Sequence, residues 1–149
     1  MSGDLLRVVI AEDDEDDQLL IRRAVERSGC PFELHFVSDG ERLIEHLGDA
    51  ANAGRPTSYP DLVVIDLNMP RVDGFEALGA IKNHPDLRSL PVVILTTSER
   101  PDDILGAYRA GASSYFTKPC DLPGLTTLME ELASYWHNVV RLPQREASQ

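Results

Sequence analysis

Three runs of apolar residues pass along this chain without alternation: Arg7-Val8-Val9-Ile10-Ala11, Leu62-Val63-Val64-Ile65 within Asp61–Asp66, and Pro91-Val92-Val93-Ile94-Leu95. A strand with one wet face alternates apolar and polar side chains, whereas an unbroken run of Leu, Val and Ile is covered on both faces, as in a parallel sheet. Between the runs the period changes from two to that of a helix. Leu19, Leu20, Ala24 and Val25 make an inward stripe over about Glu15 to Ser28, which Gly29 ends. Phe32 to Val37 reads as a further strand, and Leu43, Ile44 and Leu47 mark a helix that fades into a loop from Ala50 to Tyr59 containing Gly54 and Pro56. Helices over about Gly74 to Asn83 and Pro101 to Ala110, a short strand Ser114 to Thr117 and a last helix after Pro119 complete the pattern. Strands alternating with helices predict an α/β fold, a doubly wound sheet with right-handed crossovers.

Length and charge narrow the function classes. A chain of 149 residues is expected to form one domain that buries about two thirds of its unfolded surface, with no DNA-binding output domain expected within that length. A net charge of -11 opposes a nucleic-acid surface, which needs clustered Lys and Arg. The apolar run from Leu5 to Ala11 is broken by Arg7 and followed by acids, so neither a signal peptide nor a membrane span is expected, and the cytoplasm is the expected location. Cys30 and Cys120 have no metal-ligand spacing and read as thiols; the four histidines read as structural or solvent-facing.

Chemistry is expected where the strands stop, because open parallel sheets collect it at their carboxyl ends. The first strand runs into Glu12 and Asp13, the third delivers Asp66, and the fourth ends at Thr96. Carboxylates gathered there repel one another unless a cation sits among them, and all-oxygen ligands with positions left for water or phosphate suit Mg²⁺. Asp66 is then either a ligand or a nucleophile toward a phosphoryl donor, giving an aspartyl-phosphate. That transfer needs positioning and charge neutralisation, for which Lys118 and Thr96 are suited.

Together Glu12-Asp13, Asp66-Leu67-Asn68-Met69-Pro70 with Asp73-Gly74, Thr96 and Lys118-Pro119 resemble a response-regulator receiver domain over about residues 6 to 134. The resemblance implies a flavodoxin-like fold with five parallel strands in the order 2-1-3-4-5. It implies Asp66 as phosphoacceptor, and Mg²⁺ held by Asp13 and Asp66, by the backbone carbonyl of Asn68 and, through water, by Glu12. Thr96 and Lys118 would hold the phosphoryl group, a cis Lys118–Pro119 bond would aim the lysine, and Tyr115 would be a switch aromatic that turns inward with Thr96. By the same resemblance, Asn68 and Ser98 occupy positions that, in the family, influence how easily water reaches the phosphoryl group. The output face would be the fourth helix, fifth strand and fifth helix, the activating partner a sensor histidine kinase.

The C-terminal part extends this pattern. Leu125, Leu128, Met129, Leu132, Trp136, Val139 and Val140 prolong a helical apolar stripe, giving a receiver over 1–134 and an extended arm over 135–149. The segment from Tyr135 to Pro143, with the loop after the second helix, resembles single-domain regulators that serve phytochrome-type kinases and pair as homodimers. Tyr135, Trp136, Val139, Val140 and Leu142 are the partner residues this implies. Plainer readings stand beside these. Asp14 to Asp17 read as a solvated helix start, Tyr115 equally as edge-strand packing, and Trp136 also as a cap on its own core. Cys120 beside Lys118 has only proximity to suggest redox sensing. A haloacid-dehalogenase-type phosphatase needs a second acid where Asn68 stands, and a flavin carrier needs a glycine- and hydroxyl-rich loop where Glu12 to Asp17 stand. A receiver fold serving only as a dimeric interaction module, or passing phosphate to a histidine phosphotransfer protein, remains open.

Overall fold

A computed structural model describes residues 5–53, 59–69 and 72–139, excluding the side chains of Asn138 and Val139. Strands β1 (Leu6–Ala11), β2 (Phe32–Val37), β3 (Leu62–Ile65), β4 (Val92–Thr96) and β5 (Ser114–Thr117) form one sheet in the order β2-β1-β3-β4-β5, all neighbours parallel. The flavodoxin-like order expected from the sequence is the one found. Helices α1 (Glu15–Ser28), α2 (Gly40–Asn52), α3 (Gly74–Asn83), α4 (Pro101–Arg109) and α5 (Leu122–Ala133) connect or follow the strands.

The uninterrupted apolar runs have a simple cause. Side chains alternate across a strand, so each run feeds two cores. Val9, Val63, Ile65, Val92 and Ile94 face Leu43, Leu47, Leu78, Ile81 and Ala107 of α2, α3 and α4. Val8, Ile10, Leu62, Val64, Val93 and Leu95 face Ile21, Ala24, Leu125, Met129 and Leu132 of α1 and α5.

Helix starts are set by local chemistry. Asp14 caps α1 by accepting from the amides of Asp16 and Asp17, and Gly29 ends that helix at φ 68, where a side chain would be strained. Asp73 and Glu76 form a reciprocal capping box at α3. Gly74 must lack a side chain, since a Cβ there would lie 2.6 Å from the Asp66 carbonyl oxygen and from Leu67 Cα. That close approach lets α3 begin directly against the loop following β3.

Several boundaries differ from the sequence reading. Helix α2 continues to Asn52, because Ala50 is buried and Ala51 packs on the core, and alanine favours helix. Strand β4 is shifted one residue, from Val92 to Thr96, and β3 is limited to Leu62–Ile65. After Ala133 the last helix widens into a π-helical segment, Ser134–Val139, which carries Trp136 into the α1/α5 core at 6% exposure. Trp136 thus caps its own core, while neighbouring Tyr135 is 52% exposed. Pro70, Val140 and Leu142 lie outside the described residues.

Candidate functional site

Backbone bonds carry the sheet one residue past its strands and place the acids side by side. Glu12 N donates to Val37 O at 2.9 Å and Asp66 N to Ala11 O at 3.1 Å, so both carboxylates project from the carboxyl edge. On the other side of β4, Lys118 N donates to Thr96 O at 2.7 Å. Carboxylate oxygens of Glu12, Asp13 and Asp66 come within 4.8 Å of one another. Glu12 and Asp66 are buried, and Asp13 is exposed.

Lys118 offsets part of the charge of this group. Its Nζ donates to Glu12 Oε1 at 2.6 Å, to Asp66 Oδ2 at 3.0 Å and to Asp17 Oδ2 at 3.1 Å, and its side chain is only 8% exposed. Burial pushes the Glu12 carboxyl up to about 7, against the opposing pull of Lys118 and the Asp14 amide. Burial also disfavours the Lys118 ammonium, but its bonds to Glu12 and Asp66 outweigh that and hold its pKa above the ordinary lysine value. Asp66 is gripped at both oxygens, since Asn68 N donates to Oδ1 at 3.0 Å.

Thr96 is fully buried, and its hydroxyl has no hydrogen-bond partner. A buried hydroxyl left unpaired is uncommon in a folded protein. Tyr115 is half-buried; its hydroxyl donates to Ser98 O at 2.9 Å, and Ser98 Oγ donates to Asp103 Oδ2 at 2.6 Å, tying β5 to the loop before α4. The three clustered carboxylates, all-oxygen ligands close together, are consistent with a site for a hard divalent cation.

Two points depart from the sequence reading. Asp17, which by sequence reads as part of a solvated helix start, reaches the site lysine. The Lys118–Pro119 bond is not cis, since no cis peptide occurs among the described residues; Lys118 reaches Asp66 without one. The two cysteines are free thiols, as expected.

A parallel 2-1-3-4-5 sheet with this acid cluster, lysine and hydroxyl at its carboxyl edge defines a receiver, and residues 8–130 match the family described as the response regulator receiver domain. The chain belongs to that family and is a receiver-domain response regulator of two-component signalling. It is 37% identical over 148 residues to the probable methanogenesis regulatory protein FilR2 of Methanothrix harundinacea, covering 95% of this chain and 94% of that one. It is 34% identical over 139 residues to response regulator Rcp1 of Synechocystis, covering 91% and 92% respectively. The structure of the phosphorylated cyanobacterial phytochrome response regulator RcpA superposes with a TM-score of 0.82 at 36% identity, covering 94% of this chain and 99% of that one. A Mn²⁺-bound form of Rcp1 gives a TM-score of 0.80 at 33% identity, with 93% and 99% covered. Phytochrome response regulators are thus among its homologues, and its acid cluster is consistent with a divalent metal.

Proposed function

We propose that Asp66 accepts a phosphoryl group from a phosphohistidine of a sensor kinase, with Mg²⁺ as the cation. An Asp66 carboxylate oxygen attacks phosphorus, the P–N bond breaks, and the departing imidazole nitrogen takes up a proton. Bound Mg²⁺ would offset the charge of the carboxylates and phosphoryl oxygens, held by Asp13, Asp66 and the Asn68 carbonyl, with Glu12 acting through water. Lys118 would exchange a carboxylate for a phosphoryl oxygen, and the Thr96 hydroxyl would donate to another. The observation that carries this reading is the grip of Lys118 and the Asn68 amide on Asp66 beside an unpaired Thr96 hydroxyl.

The kinase is of the phytochrome type, a reading supported by the RcpA and Rcp1 likenesses. Release of Tyr115 from Ser98 as Thr96 moves inward would remodel the α4-β5-α5 face, making the domain a stoichiometric switch and not a turnover enzyme. Leu105 and Tyr108 of α4, and Tyr135, expose 46–52% of their surfaces, apolar area suited to a protein partner there. A homodimer through the arm 135–149, with Tyr135, Val139, Val140 and Leu142 contributing contacts and Trp136 anchoring the arm from the α1/α5 core, and a cytoplasmic location complete the reading. Among the described residues no helix is long and apolar enough to cross a membrane.

Intact mass after incubation with acetyl phosphate tests the proposal. The expected result is a Mg²⁺-dependent, hydroxylamine-labile gain of one phosphoryl group that disappears in Asp66→Asn. A wild type that neither gains it nor binds beryllofluoride overturns the proposal and leaves a constitutive interaction module.

A further inference from the structure

The Lys118 ammonium carries three N–H donors and no acceptor, so it serves three partners with one bond each. All three are taken. Nζ donates to Glu12 Oε1 at 2.6 Å, to Asp66 Oδ2 at 3.0 Å and to Asp17 Oδ2 at 3.1 Å. A phosphoryl oxygen that comes to this lysine therefore displaces a carboxylate, and the three carboxylates are not equally easy to displace.

The penalty for losing the ammonium depends on what can replace it. A buried carboxylate stripped of its partner has little water to turn to, whereas an exposed one is hydrated at once. The Glu12 side chain is 3% exposed and that of Asp66 10%, against 37% for Asp17. Glu12 holds the shortest of the three bonds and Asp17 the longest. Asp66 carries the phosphoryl group and stays beside the lysine. The Asp17 backbone is fixed in the first turn of α1, where its amide donates to the Asp14 cap at 3.3 Å, so a turn of the side chain alone releases Lys118.

We propose that Asp17 is a positioning residue that occupies the third Lys118 N–H in the unphosphorylated protein and yields it to a phosphoryl oxygen, so that its carboxylate holds down the affinity of the site for a phosphoryl-like anion. This role rests on Asp66 being the phosphoacceptor, as proposed above, and it identifies the carboxylate that Lys118 exchanges. Glu12 keeps its bond throughout and anchors the lysine.

Beryllofluoride stands in for a phosphoryl group on a carboxylate, and its binding to the full chain at saturating Mg²⁺ is read by ¹⁹F NMR. Asp17→Asn keeps the shape of the side chain and removes its charge. It should bind beryllofluoride about threefold more tightly than the wild type, the strength of a partly exposed ion pair. A damaged fold would weaken binding, so a gain has no merely structural source. Asp17→Glu restores the carboxylate and should return the affinity to that of the wild type. Asp16→Asn removes the same charge from an exposed position in the same helical turn and should leave the affinity near the wild-type value. In a crystal structure of the Mg²⁺-beryllofluoride complex, the Asp17 carboxylate should lie more than about 4 Å from Nζ, beyond ion-pair distance.

Equal or weaker affinity in Asp17→Asn overturns the proposal, and so does an equal gain in Asp16→Asn, which would assign the effect to net charge. An Asp17 carboxylate still bonded to Lys118 in the complex overturns it too. Each of these outcomes leaves the phosphoacceptor reading standing, whereas a wild type that binds no beryllofluoride overturns both.

Discussion

Lys118 decides the electrostatics of the phosphoacceptor edge, since its ammonium is the cation shared by Glu12, Asp17 and Asp66. Removing one member of a buried ion pair leaves its partners desolvated, at a cost of roughly 3–5 kcal/mol. Lys118→Met is expected at the lower end, about 3 kcal/mol, because Glu12 is already poised to take up a proton. Urea unfolding in the presence of a chelator measures this loss, and millimolar Mg²⁺ should recover part of it. A variant as stable as the wild type would show that the lysine is not the cation holding these acids. At this scale the sequence was informative about Glu12, Asp13, Asp66, Thr96 and Lys118, because each ends a readable strand. It was uninformative about Asp17, whose acid looks like any other in a first helical turn until the β5 lysine is folded onto it.

Packing between β2 and α2 produced a contact that no motif announces. His35 of β2 stacks on His46 of α2, centroids 4.3 Å apart and planes at 14°. Burial lowers the His46 pKa, His35 adds to that, and Asp49 opposes it. A histidine whose folded pKa is depressed binds fewer protons folded than unfolded. Its contribution is therefore intact above the unfolded value of about 6.5 and is lost as pH falls below it. Urea midpoints between pH 7.5 and 5 should decline more steeply in the wild type than in His46→Gln; parallel declines would assign the slope to other groups. Element boundaries followed the same logic. Helix α1 was legible because Asp14 and Gly29 mark its ends chemically. The end of α2 was not, because Ala50 and Ala51 are neutral in pattern and become helical by packing on the core.

The sheet divides the molecule into two cores that share only its strands. Leu78 belongs to one and Leu125 to the other, exposed 0% and 1%. Each truncation to Ala should cost roughly 2–5 kcal/mol, and the double variant should equal the sum within about 0.5 kcal/mol. Strong coupling in that cycle would mean that strain passes through the sheet. By itself the sequence determined the alternation of strands and helices, the parallel sheet and the strand-tip residues, because burial on both faces and helical periodicity are written in local patterns of apolar residues. Only tertiary structure decided that Asp17 joins Lys118, that His46 meets His35, and that Trp136 turns inward on a π-helical segment beside an unpaired Ser114. Those outcomes depend on which distant segments meet, and a linear pattern of polar and apolar positions carries no record of that.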